Sequence, residues 1–196
     1  MRSSLAMALL LASACGGKRP GSEVSVGGPV GRSDAAGSLQ GQPFTAGDSL
    51  SYVGRDSNGD SFLSIWVSSF PSACGLASQN AGVRNGAVLV LDLSTLGEQS
   101  RRSAATQPGE YQVSATAGGR TAQAAALRTD DACRASPLPI GAASGTVSIA
   151  NIGPGGASGT FDVSFGASGD RISGAFEAVA CPAAPLSART AATSCF

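Results

Sequence analysis

Through most of the chain after residue 48, apolar and polar residues take turns at successive positions. Leu50 and Tyr52 alternate with Ser49 and Ser51, while Leu63, Ile65 and Val67 alternate with Ser64 and Trp66. A period of two marks a strand with one face buried. Between these runs lies Asp56-Ser57-Asn58-Gly59-Asp60, whose Asn-Gly pair accepts the positive φ values of a type I′ turn and predicts a β-hairpin. The stretch from Pro71 to Gly82 does not alternate and predicts one short helix, from about Pro71 to Gln79. Ala87 to Leu93 is apolar at nearly every position, as a central strand buried from both sides requires. Tyr111 to Ala115 alternates again after Pro108-Gly109, and Gly118-Gly119 marks another turn. Thr121 to Leu127 is Ala-rich; helix propensity competes there with the tight turn and flanking strands, which favour a strand.

The C-terminal third is the most regular. Thr146 to Ile149, Thr160 to Phe165 and Arg171 to Phe176 are short strands separated by Gly-rich turns. Val147, Ile149, Phe161, Val163, Phe165, Ile172 and Phe176 fall on one side of this meander, with Ser, Thr and Asp opposite. A slip of one residue would turn every Phe to water, so the register is fixed. About eight short strands with turns roughly every ten residues predict an all-β fold, an antiparallel β-sandwich of the immunoglobulin or jelly-roll kind, over residues 44–196.

The N-terminus follows a different rule. Arg2 precedes the apolar run Leu5 to Ala12, and the small residues Ser13 and Ala14 lead directly into Cys15. The run is too short to cross ~30 Å of hydrocarbon and has the layout of a secretory signal, residues 1–14. Leu11-Ala12-Ser13-Ala14-Cys15 resembles the lipobox of bacterial lipoproteins, with Ala12 where that family favours Leu. The resemblance implies a diacylglyceryl group on Cys15, cleavage before it and acylation of the new N-terminus. An ordinary signal peptide cut after Ala14, with Cys15 kept as a disulfide partner, is the other reading. Two or three acyl chains hold a protein on a bilayer almost permanently, since each buried CH₂ adds ~0.8 kcal/mol. Gly16 stands where an Asp would resemble an inner-membrane retention signal, which favours the outer membrane. From Cys15 to Pro43 the chain has almost no large apolar residue and is expected to be a disordered linker reaching about 30 Å.

Removal of the signal leaves roughly 180 of the 196 residues, enough for one cored domain. Charged residues are 13% and the formal net charge is zero, so no basic footprint for nucleic acid exists. Besides Cys15 there are Cys74, Cys133, Cys181 and Cys195, an even number that suggests two disulfides in an exported chain. Three connectivities are possible; we expect Cys133 with Cys181 and Cys74 with Cys195.

Candidate chemistry is sparse. Asp56, Asn58 and Asp60 sit at the first, third and fifth places of a calcium-loop pattern, but Ser61 and Val67 occupy the places of its Gly and bidentate Glu. A polar hairpin tip is the favoured reading, and no cofactor is expected. The chain contains no His, and none of its Ser-Gly clusters fits the nucleophile-elbow pattern. A carboxylate-based secreted hydrolase would need Asp131, Asp162 or Glu177 to converge in a cleft. If Leu63, Ile65 and Val67 face the core, Phe62 and Trp66 share the opposite face as a docking patch, unless the Pro71–Gln79 segment or the N-terminal linker covers them.

The segments from Ala143-Ser-Gly-Thr to Asp170-Arg-Ile-Ser-Gly-Ala-Phe-Glu-Ala-Val-Ala-Cys181, with Pro108-Gly-Glu-Tyr-Gln-Val113 upstream, look like those of Ala/Gly-rich envelope lipoproteins from GC-rich bacteria. That resemblance implies a secreted β-sandwich closed by a cysteine and brings no functional residue with it. The expected role is therefore a membrane-anchored, non-catalytic envelope lipoprotein that binds or supports a partner. The alternatives are the hydrolase and an accessory subunit docking through Phe62 and Trp66.

Overall fold

Alternation specifies which face of a strand is buried, and it leaves open which strands meet. In the computed structural model, which describes residues 28–97, 101–113, 119–136, 140–166, 169–182 and 194–196, the meeting is a closed one. The chain runs β1 (Arg32–Ser33), β2 (Ala36–Leu39), β3 (Gln42–Thr45), β4 (Asp48–Arg55), β5 (Ser61–Ser68), α1 (Ala73–Ser78), β6 (Ala81–Gly82), β7 (Ala87–Leu96) and β8 (Arg102–Ala104). It continues with β9 (Gly109–Val113), β10 (Arg120–Arg128), β11 (Ile140–Gly141), β12 (Ser144–Gly153), β13 (Gly156–Phe165), β14 (Asp170–Ala180) and β15 (Ser194–Cys195). Strands β4, β5, β7, β10, β9, β12, β13 and β14 pair in that order, and β14 returns to β4, making an eight-stranded barrel with further strands outside it.

The expected sandwich is thus corrected to a barrel. Two pairings between distant parts of the chain make the difference. One is the antiparallel ladder from Arg120↔Thr95 to Arg128↔Ala87 between β10 and β7. The other is the short parallel contact of Val179 with Leu50 and Ala180 with Ser51 between β14 and β4. A sandwich and a barrel need the same inward alternation, so the strand pattern fits both.

An eight-stranded barrel has an interior just wide enough to be filled by side chains. Leu89, Leu91 and Leu93 of β7 are fully buried there, together with Tyr111, Val147, Val163 and Ile172. Ala122, Ala124 and Ala126 of β10 stand directly across from those leucines. Small residues thus face large ones across the β7–β10 ladder, and that pairing is what makes the Ala-rich stretch a strand. The meander residues Val147, Ile149, Phe161, Val163, Phe165, Ile172 and Phe176 all enter this core, as their alternation predicts. Outward positions on the same strands carry Ser148, Thr160, Asp162, Arg171 and Glu177, so this wall faces water. A transmembrane barrel has the opposite arrangement.

A second core lies outside the barrel wall. Leu50 pairs across from Trp66 and Tyr52 from Ser64, which puts all four on the outer face of β4 and β5. Helix α1 packs Ala73, Cys74 and Ala77 on Leu50 and Trp66, with Tyr52, Phe70, Val88 and Val90 at the margin. This is why β7 is apolar on both faces. The disulfide Cys74–Cys181 fastens α1 to the end of β14, and Cys133–Cys195 ties the C-terminal strand to the loop after β10. Both pairings differ from the expected ones, because α1 brings Cys74 onto the outer wall where β14 ends.

The linker boundary also moves. Residues 28–45, expected at least as far as Pro43 to be disordered, form an arm with three strands. Strand β1 pairs Arg32 with Glu177, β2 pairs Gly37 with Ile172, and the β2–β3 hairpin sends Leu39 and Phe44 into the core. The arm lies along the stretch of β14 that β4 leaves unpaired, so it completes the wall beside the short parallel seam. Its apolar residues are isolated in sequence and therefore show no period. The signal segment and Cys15 lie outside the described residues.

Candidate functional site

A buried polar cluster sits on the outer wall beside α1. Ser64 and Asp92 are directly opposed in the β5–β7 ladder. The Ser64 hydroxyl donates to Asp92 Oδ1 at 2.6 Å, and Trp66 Nε1 donates to Ser64 Oγ at 3.1 Å. Tyr52 stands edge-on to the Trp66 ring, with 5.8 Å between centroids. Burial raises the pKa of Asp92 above the ordinary carboxylate value, and the Ser64 hydroxyl opposes the rise only in part. Burial also raises Tyr52, with the Asp92 charge adding to the effect and the Ser64 hydroxyl opposing it.

Chemically this is a relay of donors, from Trp66 to Ser64 to Asp92. Ser64 is fully buried, so its oxygen has no open side from which a substrate could approach. The network therefore positions side chains. It locks the indole at an angle that lets α1 lie on it. Strand patterning passes over this cluster, although a lone Asp within Ala87-Val-Leu-Val-Leu-Asp-Leu93 and a Ser between Leu63 and Ile65 are the signal that could have found it.

A second buried carboxylate, Asp48, was likewise not anticipated. Its Oδ1 accepts the N–H groups of Gly31 and Ser49, each at 2.7 Å, and its Oδ2 accepts the N–H of Ala73 at 2.7 Å. One side chain thus joins the arm, β4 and the start of α1. Burial pushes its pKa up, while the three backbone donors pull the other way.

The residues singled out from sequence fall elsewhere. Asp56, Asn58 and Asp60 occupy the tip of the β4–β5 hairpin. Asp56 Oδ1 accepts the N–H groups of Asn58 at 2.8 Å and Asp60 at 3.0 Å. Gly59 N–H bonds to Asp56 O, and Gly59 alone of the tip residues has positive φ, +82°. The tip is a three-residue loop with a Gly bulge instead of the expected type I′ turn. Asp56 spends an oxygen on that loop, and among the described residues no three His, Cys, Asp or Glu side chains gather where they could hold a metal ion.

The carboxylates proposed for a hydrolase do not converge. Asp162 pairs across from Ser173, and Glu177 lies four residues farther along β14, roughly 13 Å at strand spacing. A glycosidase pair needs ~5–9.5 Å. Asp162 instead forms a solvent-exposed ion pair with Arg171, which lowers its pKa. Asp131 is exposed on the loop after β10, and Asp170 is buried, accepting from Ser38 Oγ and the Gly41 N–H to hold the arm hairpin. Phe62 and Trp66 do share the outer face, but they are not an exposed pair. Trp66 is 8% exposed beneath α1, and Phe62 is half-buried with its ring across Gly54.

An open groove of about 630 Å³ lies between the arm and the β12–β13 hairpin, edged by Val30, Arg32, Asn151, Ile152, Ser158 and Glu177. No aromatic side chain lines it. Comparison of the chain with protein-family models, curated proteins and solved structures finds no match.

Proposed function

We propose that this chain is a lipid-anchored module of a bacterial envelope, held at the outer membrane through Cys15, and that its barrel offers a non-catalytic surface for binding or supporting a partner. The observation that carries the reading is cysteine arithmetic. Four of the five cysteines are paired with one another, which leaves Cys15, at the end of the apolar N-terminal run, outside both bridges. Two disulfides suit an oxidising compartment, reached by export. A side-chain-filled barrel whose polar wall faces water suits a role performed on its surface.

The experiment is metabolic labelling with an alkyne fatty acid in a bacterial host, comparing the full chain with Cys15→Ser. We expect label and detergent-phase partition for the parent and neither for the variant. A mature chain that is freely soluble with an unmodified thiol at Cys15 overturns the anchor. Crosslinking in the intact envelope, followed by purification, then identifies what the barrel touches.

A further inference from the structure

The two disulfides stand in different mechanical settings. Cys74–Cys181 is sealed between α1 and the barrel wall, with its residues 4% and 0% exposed. A reagent reaches it only after α1 lifts from Leu50 and Trp66. Cys133–Cys195 lies outside the barrel sheet; its Cys133 end is buried and its Cys195 end is exposed, so only one end is open to a reagent. It clamps β15 onto β6, a separate two-stranded sheet whose pairs among the described residues are Ser194↔Ala81 and Cys195↔Gly82. Two further backbone bonds support the clamp, Phe196 N–H to Gly82 O at 3.1 Å and Arg84 N–H to Phe196 O at 2.8 Å. So small a sheet is not stable by itself.

The other half of the bridge is held independently. Asp130 Oδ1 accepts the N–H groups of Ala132 and Arg134, and the Cys133 N–H bonds to Asp130 O. None of these bonds runs through the sulfur bridge.

We propose that Cys133–Cys195 is a thiol-exchange site, a clasp that a dithiol reductant opens while Cys74–Cys181 and the barrel stay intact. An incoming thiolate attacks the sulfur of Cys195, forms a mixed disulfide there and expels Cys133 as a thiolate, which takes a proton from water. The reductant's second thiol then attacks its own bridged sulfur and releases Cys195. Two electrons pass to the bridge, and the dithiol becomes a disulfide. Opening frees β15 and bares the edge of residues 81–84. The inference holds whether or not Cys15 is acylated.

The test treats the native full chain with dithiothreitol, quenches aliquots with an alkylating agent and maps the labelled cysteines by mass spectrometry. We expect Cys133 and Cys195 to be labelled at least about tenfold faster than Cys74 and Cys181, as local opening outruns global opening. The singly reduced form is expected to lose hydrogen-exchange protection at Arg84 while protection in β7 and β13 persists. Equal labelling rates, earlier labelling of Cys74 and Cys181, or unchanged protection at Arg84 would each overturn the proposal. The variant carrying Cys133→Ser and Cys195→Ser is expected to keep one cooperative unfolding transition, with a midpoint lowered by no more than the lost closure of a 62-residue loop explains. A collapse of that midpoint would show that the clasp is part of the barrel's stability, which also overturns it.

Discussion

Asp48 Oδ2 accepts the backbone N–H of Ala73, the first residue of α1, across a sequence separation of 25 residues. The same carboxylate holds Gly31 at the start of the arm. Replacing Asp48 by Ala would leave three N–H groups without an acceptor in a site closed to water, each costing roughly 1–3 kcal/mol. We expect Asp48→Ala to lower the unfolding free energy by about 3 kcal/mol or more, read as an unchanged slope and a lower midpoint in urea. Asp48→Asn is expected to fall between, because its amide nitrogen can be aimed at only one of the three donors. A variant equal to the parent would show that water or a neighbouring group takes over these bonds.

Both Asp48 and Asp92 have folded-state pKa values raised by burial. The native state therefore takes up protons before the unfolded state as pH falls, and the unfolded state binds fewer protons in that window. Stability is then expected to rise on acidification from neutral pH through the raised folded values, and to level off below the unfolded value near 3.8. Asp162, lowered by Arg171, acts in the opposite sense. Its contribution is present above the unfolded value and lost as pH falls through the folded one. Because that pair is solvent-exposed, its share is small. Unfolding of the parent and of Asp92→Asn between pH 7 and pH 4 checks this: the variant's slope with pH should be shallower. A parent that loses stability steadily over the upper part of this range contradicts it.

The arm can be tested where it lies directly on a glycine of the barrel. A Cβ built on Gly174 would lie 2.3 Å from Ala35 Cα, so any side chain there must displace the arm. Gly174→Val is expected to reduce hydrogen-exchange protection at Asp34 and Ala46, whose N–H groups bond to Ala175 O and Ala35 O. Protection in β7 should hold. If the arm were a loose linker, the substitution would change nothing at these amides.

Local patterning gave the strands because a half-buried strand carries its own signature, residue by residue. The β12–β14 meander is the clearest case, with neighbours in sequence also neighbours in the sheet. Closure of the barrel could not be read in this way. It depends on β10 meeting β7 and β14 meeting β4, and the alternation of Ala122, Ala124 and Ala126 contains nothing that names Leu91 as partner. The arm was missed for a related reason: its backbone bonds are made to the edge of β14, so Leu39 and Phe44 needed no apolar neighbours of their own. Trp66 was placed on the correct face by alternation. Its covering by the Pro71–Gln79 segment, the alternative to an exposed patch, is what α1 supplies; the Cys74–Cys181 bridge that fastens it there is a tertiary fact the pattern does not contain.

Whether the barrel works through its surface or its interior turns on how full the interior is. Ala124 points inward directly across from Leu91, while its neighbour Gln123 points outward and is exposed. A barrel with room for a ligand would absorb a larger side chain at 124. A filled one would not, since overpacking a dense core costs roughly 1–3 kcal/mol and sometimes more. We expect Ala124→Phe to destabilise the protein by at least about 2 kcal/mol in urea unfolding. Gln123→Phe should change stability by less than about 0.5 kcal/mol, as surface substitutions do. An Ala124→Phe protein as stable as the parent would reveal an unfilled interior, and with it a candidate ligand site that the surface reading leaves out.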